Sequence, residues 1–466
     1  MTVRIGVEEE FHVIDVETGE LVPRAEDVLS RVARPPDSGP HDGYARELPQ
    51  SVVESNSGVH TSLDGLYADL SRTRRRLDDS AFRQGLGIAA AGTAPLTRLG
   101  TVPPTPERRY HHMTDEYRRL ADEQLICGAQ VHVDVPDRDT AVRAMCAAGP
   151  WLPPLLALSA SSPFWLGADT GYASWRTMVW QRWPTSGPPG CFGGAAEYDR
   201  AVDELVRSGV ISDPGMIYYD IRPSAHLQTL ELRVCDACPR VETVVLIAAL
   251  FRALVVDACA RLRTAGGTRC DGRHEWLRAA TWRAARSGLE GELVDPATRR
   301  AAPAPEVVRG MLRRLRHPLE EYGDWATVLT LTEEALARGS AAHRLRRTVA
   351  AEDLLAGVDD LLAATRGGAP GPVRGDRARR ARRPAPRPAG RQSGGGRLAA
   401  RPARARGTRH APADPGVADD PADEHNVRGT GPIASPWRRG GPAPGTTPGR
   451  RPAPAVRSEG GPACAV

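Results

Sequence analysis

Three short segments alternate apolar and polar residues with the period of two that marks a half-buried β-strand. In VRIGVEEEFHVID (3–15), Val3, Ile5, Val7, Phe11 and Val13 fall on one face, and Arg4, Gly6, Glu8, Glu10 and His12 on the other. The division recurs in 126–135, where Val131, Val133 and Val135 oppose Gln130, His132 and Asp134. It recurs again in 227–236, where Leu230, Leu232 and Val234 oppose Thr229, Glu231 and Arg233. Leu63, Leu66, Leu70 and Leu77 repeat near helical spacing and predict a helix with one inward face. Further helices are predicted over 203–211, 242–264 and 352–365, and a buried strand of small residues over 85–96. With no internal repeat, this order predicts an α+β domain over residues 1–365 whose sheet draws strands from distant parts of the chain.

Composition changes the picture beyond that point. Residues 366–466 are dominated by Arg, Pro, Gly and Ala and nearly lack large apolar side chains. Too little apolar surface remains to offset the entropy of ordering, so a disordered tail is predicted. Its Arg runs could meet anionic surfaces, but no aromatics are interleaved, and nucleic acid is not the expected partner. All 62 basic residues are arginine and the formal net charge is +5. That bias fits a GC-rich coding sequence better than a choice of chemistry, and GC-rich DNA read in a shifted frame would also yield such a tail. The longest apolar stretch, 244–256, is interrupted by Arg252 and falls short of the roughly 18 residues of a membrane span. A charged strand stands where a secretory leader would carry an apolar core. Cys235 and Cys238 form a lone CxxC among eight scattered cysteines, which reads as reduced core thiols and not as a zinc site. A soluble cytoplasmic protein without membrane contact is predicted.

The polar strand faces carry the candidate chemistry, because so many buried polar groups are costly unless something binds them. Strand geometry puts the Glu8 and Glu10 Cα atoms roughly 6.6 Å apart, and without a cation such a pair repels. Glu47 and Glu54, from ELPQSVVE, could add oxygen ligands. Hard cations such as Mg²⁺ favour such donors, and Glu8, Glu10, Glu47, Glu54 and Glu231 would suit several of them. Arg222 in DIRPS, with Arg283 and Arg286 in WRAAR, could clamp a polyphosphate during catalysis. The alternatives are a wet acidic face, a structural histidine at 132, an Arg233 paired with a neighbouring carboxylate, and packing roles for Trp175, Trp180 and Trp183. Glu9 shares the apolar face, where it needs an arginine partner or a place at the sheet edge. The chain has no P-loop or dinucleotide fingerprint and no nucleophile elbow.

The motifs GVEEEF, ELPQSVVE, AGTAPL, CGAQVHV, SPFW, YYDIRPS, TLELRVCD and WRAARSGLEGELVDP occur in this order. Together they resemble the carboxylate–amine ligases of the glutamate–cysteine ligase type 2 family, over residues 3–365. The resemblance implies a glutamine-synthetase-like fold, a curved antiparallel sheet forming a funnel with helices on one face. It implies Mg²⁺ on Glu8, Glu10, Glu47, Glu54 and Glu231, and ATP beside Gln130 and His132. Arg222 and Arg233 look like the residues that meet phosphate or an amino-acid carboxylate. The implied reaction joins the γ-carboxylate of glutamate to an amine, with cysteine the first candidate, through an acyl phosphate. Small molecules are the implied partners, and a homodimer stays open. Another acid or amine, a phosphoryl transferase and a nucleotide-binding protein without ligase activity are the rival readings. Asp134 stands where many relatives have Gly, Gln130 where many have His, and Thr281 where Asn is common. Asp134 is expected to add negative charge near the mouth of the site.

Overall fold

The computed structural model describes residues 2–32, 43–263 and 273–367. The opening alternation forms β1 (Ile5–Asp15), which pairs antiparallel with β3 (Val52–Asn56), with β4 (Leu86–Ala89) and with β5 (Ala129–Asp134). β2 (Tyr44–Arg46) extends the sheet beyond β3, and β9 (Thr229–Leu232) followed by β8 (Ile221–Pro223) extends it beyond β5. The sheet order is β2-β3-β1-β5-β9-β8, with β4 also on β1. Two small antiparallel pairs lie outside it: β6 (Phe164–Trp165) with β7 (Ala168–Asp169), and β10 (Glu292–Val294) with β11 (Ala301–Pro303).

The apolar strand faces merge into one core. Ile5, Val7, Val131, Val133, Leu230 and Leu232 pack with Leu66 and Leu70 of helix Leu63–Phe82 and with helix Val241–Leu262. The far half of β1 buries Phe11 and Val13 against Leu77 and Ile88. Helices Ala341–Ala351 and Leu354–Arg366 close over Ile14 through Leu345, Val358 and Leu361. The face that carries Val7 and Phe11 is covered by helices, as expected, and the last two helices also cover the opposite face at its Ile14 end.

Several boundaries differ from expectation for identifiable reasons. The helix expected over 203–211 is Ala195–Arg207, ending just before Gly209 at φ 75°. The strand expected within 85–96, ahead of a Gly-Thr-Ala-Pro turn, stops at Ala89, and the chain turns past Gly92, where a Cβ would lie 2.7 Å from the Asp236 carboxyl. The apolar run around 244–256 belongs to a 22-residue helix, long and apolar enough to cross a membrane by length and composition alone. The run Arg138–Ser159 meets the same measure, and both are mostly buried as core. Arg252 does not break the longer helix, because it pairs inside with Asp324 and donates to the Thr61 carbonyl at 2.9 Å. Arg366, assigned above to the tail, ends the last helix and pairs with Asp78 at 2.7 Å. The remainder of the predicted tail, 368–466, lies outside the described residues. Cys235 and Cys238 carry free, buried thiols, and burial pushes the Cys235 pKa up to about 12.

Candidate active site

Sheet register places side chains on the polar face in rows. Glu8 stands opposite Gln130, Glu10 opposite Glu54, and His132 opposite Glu231, which is itself opposite Arg222. This face floors an open cavity of about 350 Å³, to which Glu47 contributes from the loop after β2. Two groups of potential ligand atoms form there, Glu10 with Glu47 and Glu54, and Glu8 with His132 and Glu231. Within each group the atoms lie within 4.8 Å of one another.

The electrostatics of the first group are those of crowded carboxylates. Burial and then the Glu10 charge raise the Glu47 pKa to about 7. Burial, Glu8 and Glu47 together hold Glu54 well above its ordinary range. Glu10 accepts from the Gly128 backbone N–H at 2.6 Å and from Gln130 Nε2 at 2.9 Å. Asn56 Nδ2 donates to Glu54 at 3.0 Å. The amide oxygens Asn56 Oδ1 and Gln130 Oε1 are both buried without a donor. Three carboxylates and these orphaned amide oxygens make a donor set suited to a hard divalent cation.

The second group is more nearly neutralised. Burial would lower the His132 pKa, but Glu8, with its Oε1 3.2 Å from His132 Nε2, raises it overall. His132 Nδ1 lies 3.0 Å from Thr229 Oγ1, which orients the ring. Burial alone would raise Glu231, yet Arg222 and Arg233 hold its pKa far below the usual carboxylate range. Arg222 grips Glu231 through Nε at 2.8 Å and Nη2 at 3.2 Å, and its Nη1 donates to the Gly215 and Ile217 carbonyls. Arg233, one residue past β9, also donates to Glu231, while its buried Nε has no acceptor. The Trp180 ring carries Arg233 at 5.9 Å and Arg176 at 5.7 Å.

The cavity therefore gathers Glu8, Glu10, Glu47, Glu54, Gln130, His132, Arg222, Glu231 and Arg233. Arg286 does not join them, since it is exposed on helix His274–Ser287 and lies over the Tyr172 ring at 5.8 Å. Asp134 pairs with Arg4 at 2.6 Å and does not line the cavity, and Thr281 is buried elsewhere. His12 is buried beneath the sheet's β4 side, and burial lowers its pKa to about 4. Reading by strands missed Arg109, Tyr110 and Tyr218, which also line the cavity, and Trp180, read from sequence as a packing residue, lines it too.

The antiparallel sheet thus brings two acidic clusters and a guanidinium rim into one open cavity. Comparison with known proteins gives the particular lineage: the chain belongs to glutamate-cysteine ligase family 2, whose profile matches residues 4–361. A Frankia alni protein named "Putative glutamate--cysteine ligase 2-3" is 54% identical over 362 residues, covering 78% of this chain and 41% of that protein. This chain thus spans less than half the length of that relative. A Mycolicibacterium smegmatis relative, named in the same way as 2-2, is 48% identical over 365 residues and is covered to 89% of its length, with 78% of this chain. The fold is shared with the crystal structure of glutamate–cysteine ligase from Francisella tularensis in complex with AMP, at TM-score 0.60 and 11% identity, covering 79% of this chain and 89% of that one. It is also shared with a bifunctional glutathione synthetase from Pasteurella multocida, at TM-score 0.56 and 15% identity, covering 78% and 52%.

Proposed function

We propose that the chain is an ATP-dependent carboxylate–amine ligase that joins the γ-carboxylate of L-glutamate to L-cysteine, releasing ADP and phosphate. The observation that carries this reading is the single cavity in which both acidic clusters face Arg233. Membership of the family supports it. ATP and the amino acids are small-molecule partners, and a cytoplasmic location fits their pools.

The difficulty of the reaction is electrostatic, because a carboxylate must approach the γ-phosphate of ATP, joining two anions. Mg²⁺ on Glu10, Glu47 and Glu54, and on Glu8 and Glu231 beside His132, would supply the opposing charge. Arg222 is fully engaged by Glu231 and two carbonyls, so it acts as a positioning residue. Arg233 keeps an unused buried N–H and is the guanidinium that meets phosphate or the substrate carboxylate. Gln130 holds Glu10 in place, and Trp180 supports Arg233 from below. A carboxylate oxygen attacks the γ-phosphorus and ADP leaves. The amine nitrogen then attacks the acyl carbon, loses its proton and expels phosphate. Neither step requires a protein nucleophile.

The test is ADP release by purified protein with glutamate against a panel of amines. Release that needs both acid and amine, and yields an amide, supports ligation, and the best amine names the substrate. Release with acid alone and a stable phosphorylated product would favour a phosphoryl transferase.

A further inference from the structure

A second, narrow cleft lies among the helices and shares no lining residue with the acidic cavity. Arg240, Arg338 and Arg344 all line it, with Asp360 as the one carboxylate on its wall. Arg344 is bound by Asp360 at 2.5 and 2.9 Å, and Arg240 approaches Glu242 at 3.4 Å. Arg338 donates no hydrogen bond among the described residues, and burial together with the like charge of Arg240 and Arg344 lowers its pKa. Glu242 and Glu334 oppose that effect only in part. Glu290 is spent on Ser340, accepting from its N–H at 2.7 Å and its hydroxyl at 2.8 Å.

Helix polarity sharpens the imbalance. Arg240 is the N-cap of helix Val241–Leu262, and Arg344 lies in the first turn of helix Ala341–Ala351. Helix N-termini favour anions and disfavour cations. Arg338 instead ends helix Trp325–Arg338, where a cation is favoured, so the polarity argument concerns Arg240 and Arg344, and Arg240 Nε is buried without an acceptor.

We propose that this cleft binds a phosphate-type oxyanion, as inorganic phosphate or as the phosphoryl group of a small metabolite. Arg338 offers its guanidinium fork to such a group, and Arg240 adds its unpaired buried Nε–H. The cleft floor includes Cys238 and Pro239, whose carbonyls are held by Arg74 at 2.8 and 2.7 Å. Arg74 also pairs with Glu9, between Glu8 and Glu10, so an occupant bears on the strand that carries the acidic cluster. That regulatory consequence rests on the ligase reading; the binding itself does not.

The experiment is calorimetric titration of inorganic phosphate into the full chain, free of nucleotide and Mg²⁺, at low salt. Saturable one-to-one binding is expected. In Arg338→Gln it weakens roughly 10- to 100-fold, the effect of losing a charge-assisted hydrogen bond, and in Arg338→Lys it weakens less. The unliganded Arg338→Gln protein should melt no lower than the parent, because like-charge repulsion is removed. Glycerol 3-phosphate serves as the second probe. Tighter binding than phosphate assigns the site to a phosphorylated metabolite, and equal or weaker binding assigns it to free phosphate. No saturable binding, or equal phosphate affinity in parent and Arg338→Gln, would overturn the proposal; the latter would place the anion elsewhere.

Discussion

Glu9 is the residue whose position most needs a partner. It points away from its acidic neighbours into the core, where Arg74 meets it at 2.5 and 3.2 Å and both side chains are almost wholly buried. Arg74 also lies over the Phe11 ring at 5.6 Å, so the pair is built into the packing. Arg74→Gln should destabilise the fold by about 3–5 kcal/mol, since a carboxylate is left buried and alone. Adding Glu9→Gln should recover part of that loss in urea unfolding; a strictly additive double variant would mean the two do not interact. Asp220 offers a pH test, because burial raises its pKa from 3.8 to about 7. The folded state then holds a proton that the unfolded chain releases, and this contribution is lost as pH rises from about 4 through 7. Parent minus Asp220→Asn stability should therefore fall across that window, and a flat difference would refute the shift. At single positions alternation was a good guide for Glu8, Glu10, Gln130, His132 and Glu231. It misplaced His12 and Asp134, because a period of two gives the face of a strand but not where a neighbouring strand or a rim arginine closes it off.

The roles of the arginines separate by element. Arg222 on β8 is anchored, Arg233 past β9 reaches the cavity, and Arg286 sits on a helix outside it. Arg286→Gln should leave turnover unchanged, whereas Arg233→Gln should lower kcat by roughly 10²-fold or more, as for loss of a donor to developing charge. Steady-state ADP release distinguishes them, and equal losses in the two variants would undo the assignment. Reading by sequence grouped Arg222 with Arg283 and Arg286 because it carries no information on cross-strand register, which long-range pairing sets. The same limit hid Trp180 and Arg109, which come from helices and enter the cavity only through tertiary packing.

The described residues build the whole acidic cavity without the tail. A protein truncated after Gly367 should keep its ADP release and Mg²⁺ dependence, while Glu10→Ala in the full chain should abolish Mg²⁺-dependent turnover with the melting transition retained. Loss of turnover on truncation, or full turnover in Glu10→Ala, would contradict the placement of the site. The α+β class and helix-backed sheet were legible because three strands repeat one division of faces, and the helix expected over 242–264 is present as Val241–Leu262, with Arg252 satisfied inside the core by Asp324. Ligation through an acyl phosphate makes one further demand, that a carboxylate oxygen leave with the phosphate. Turnover with glutamate labelled with ¹⁸O in its γ-carboxylate should therefore transfer one label into each phosphate released, read by mass spectrometry, and unlabelled phosphate would contradict the proposed chemistry.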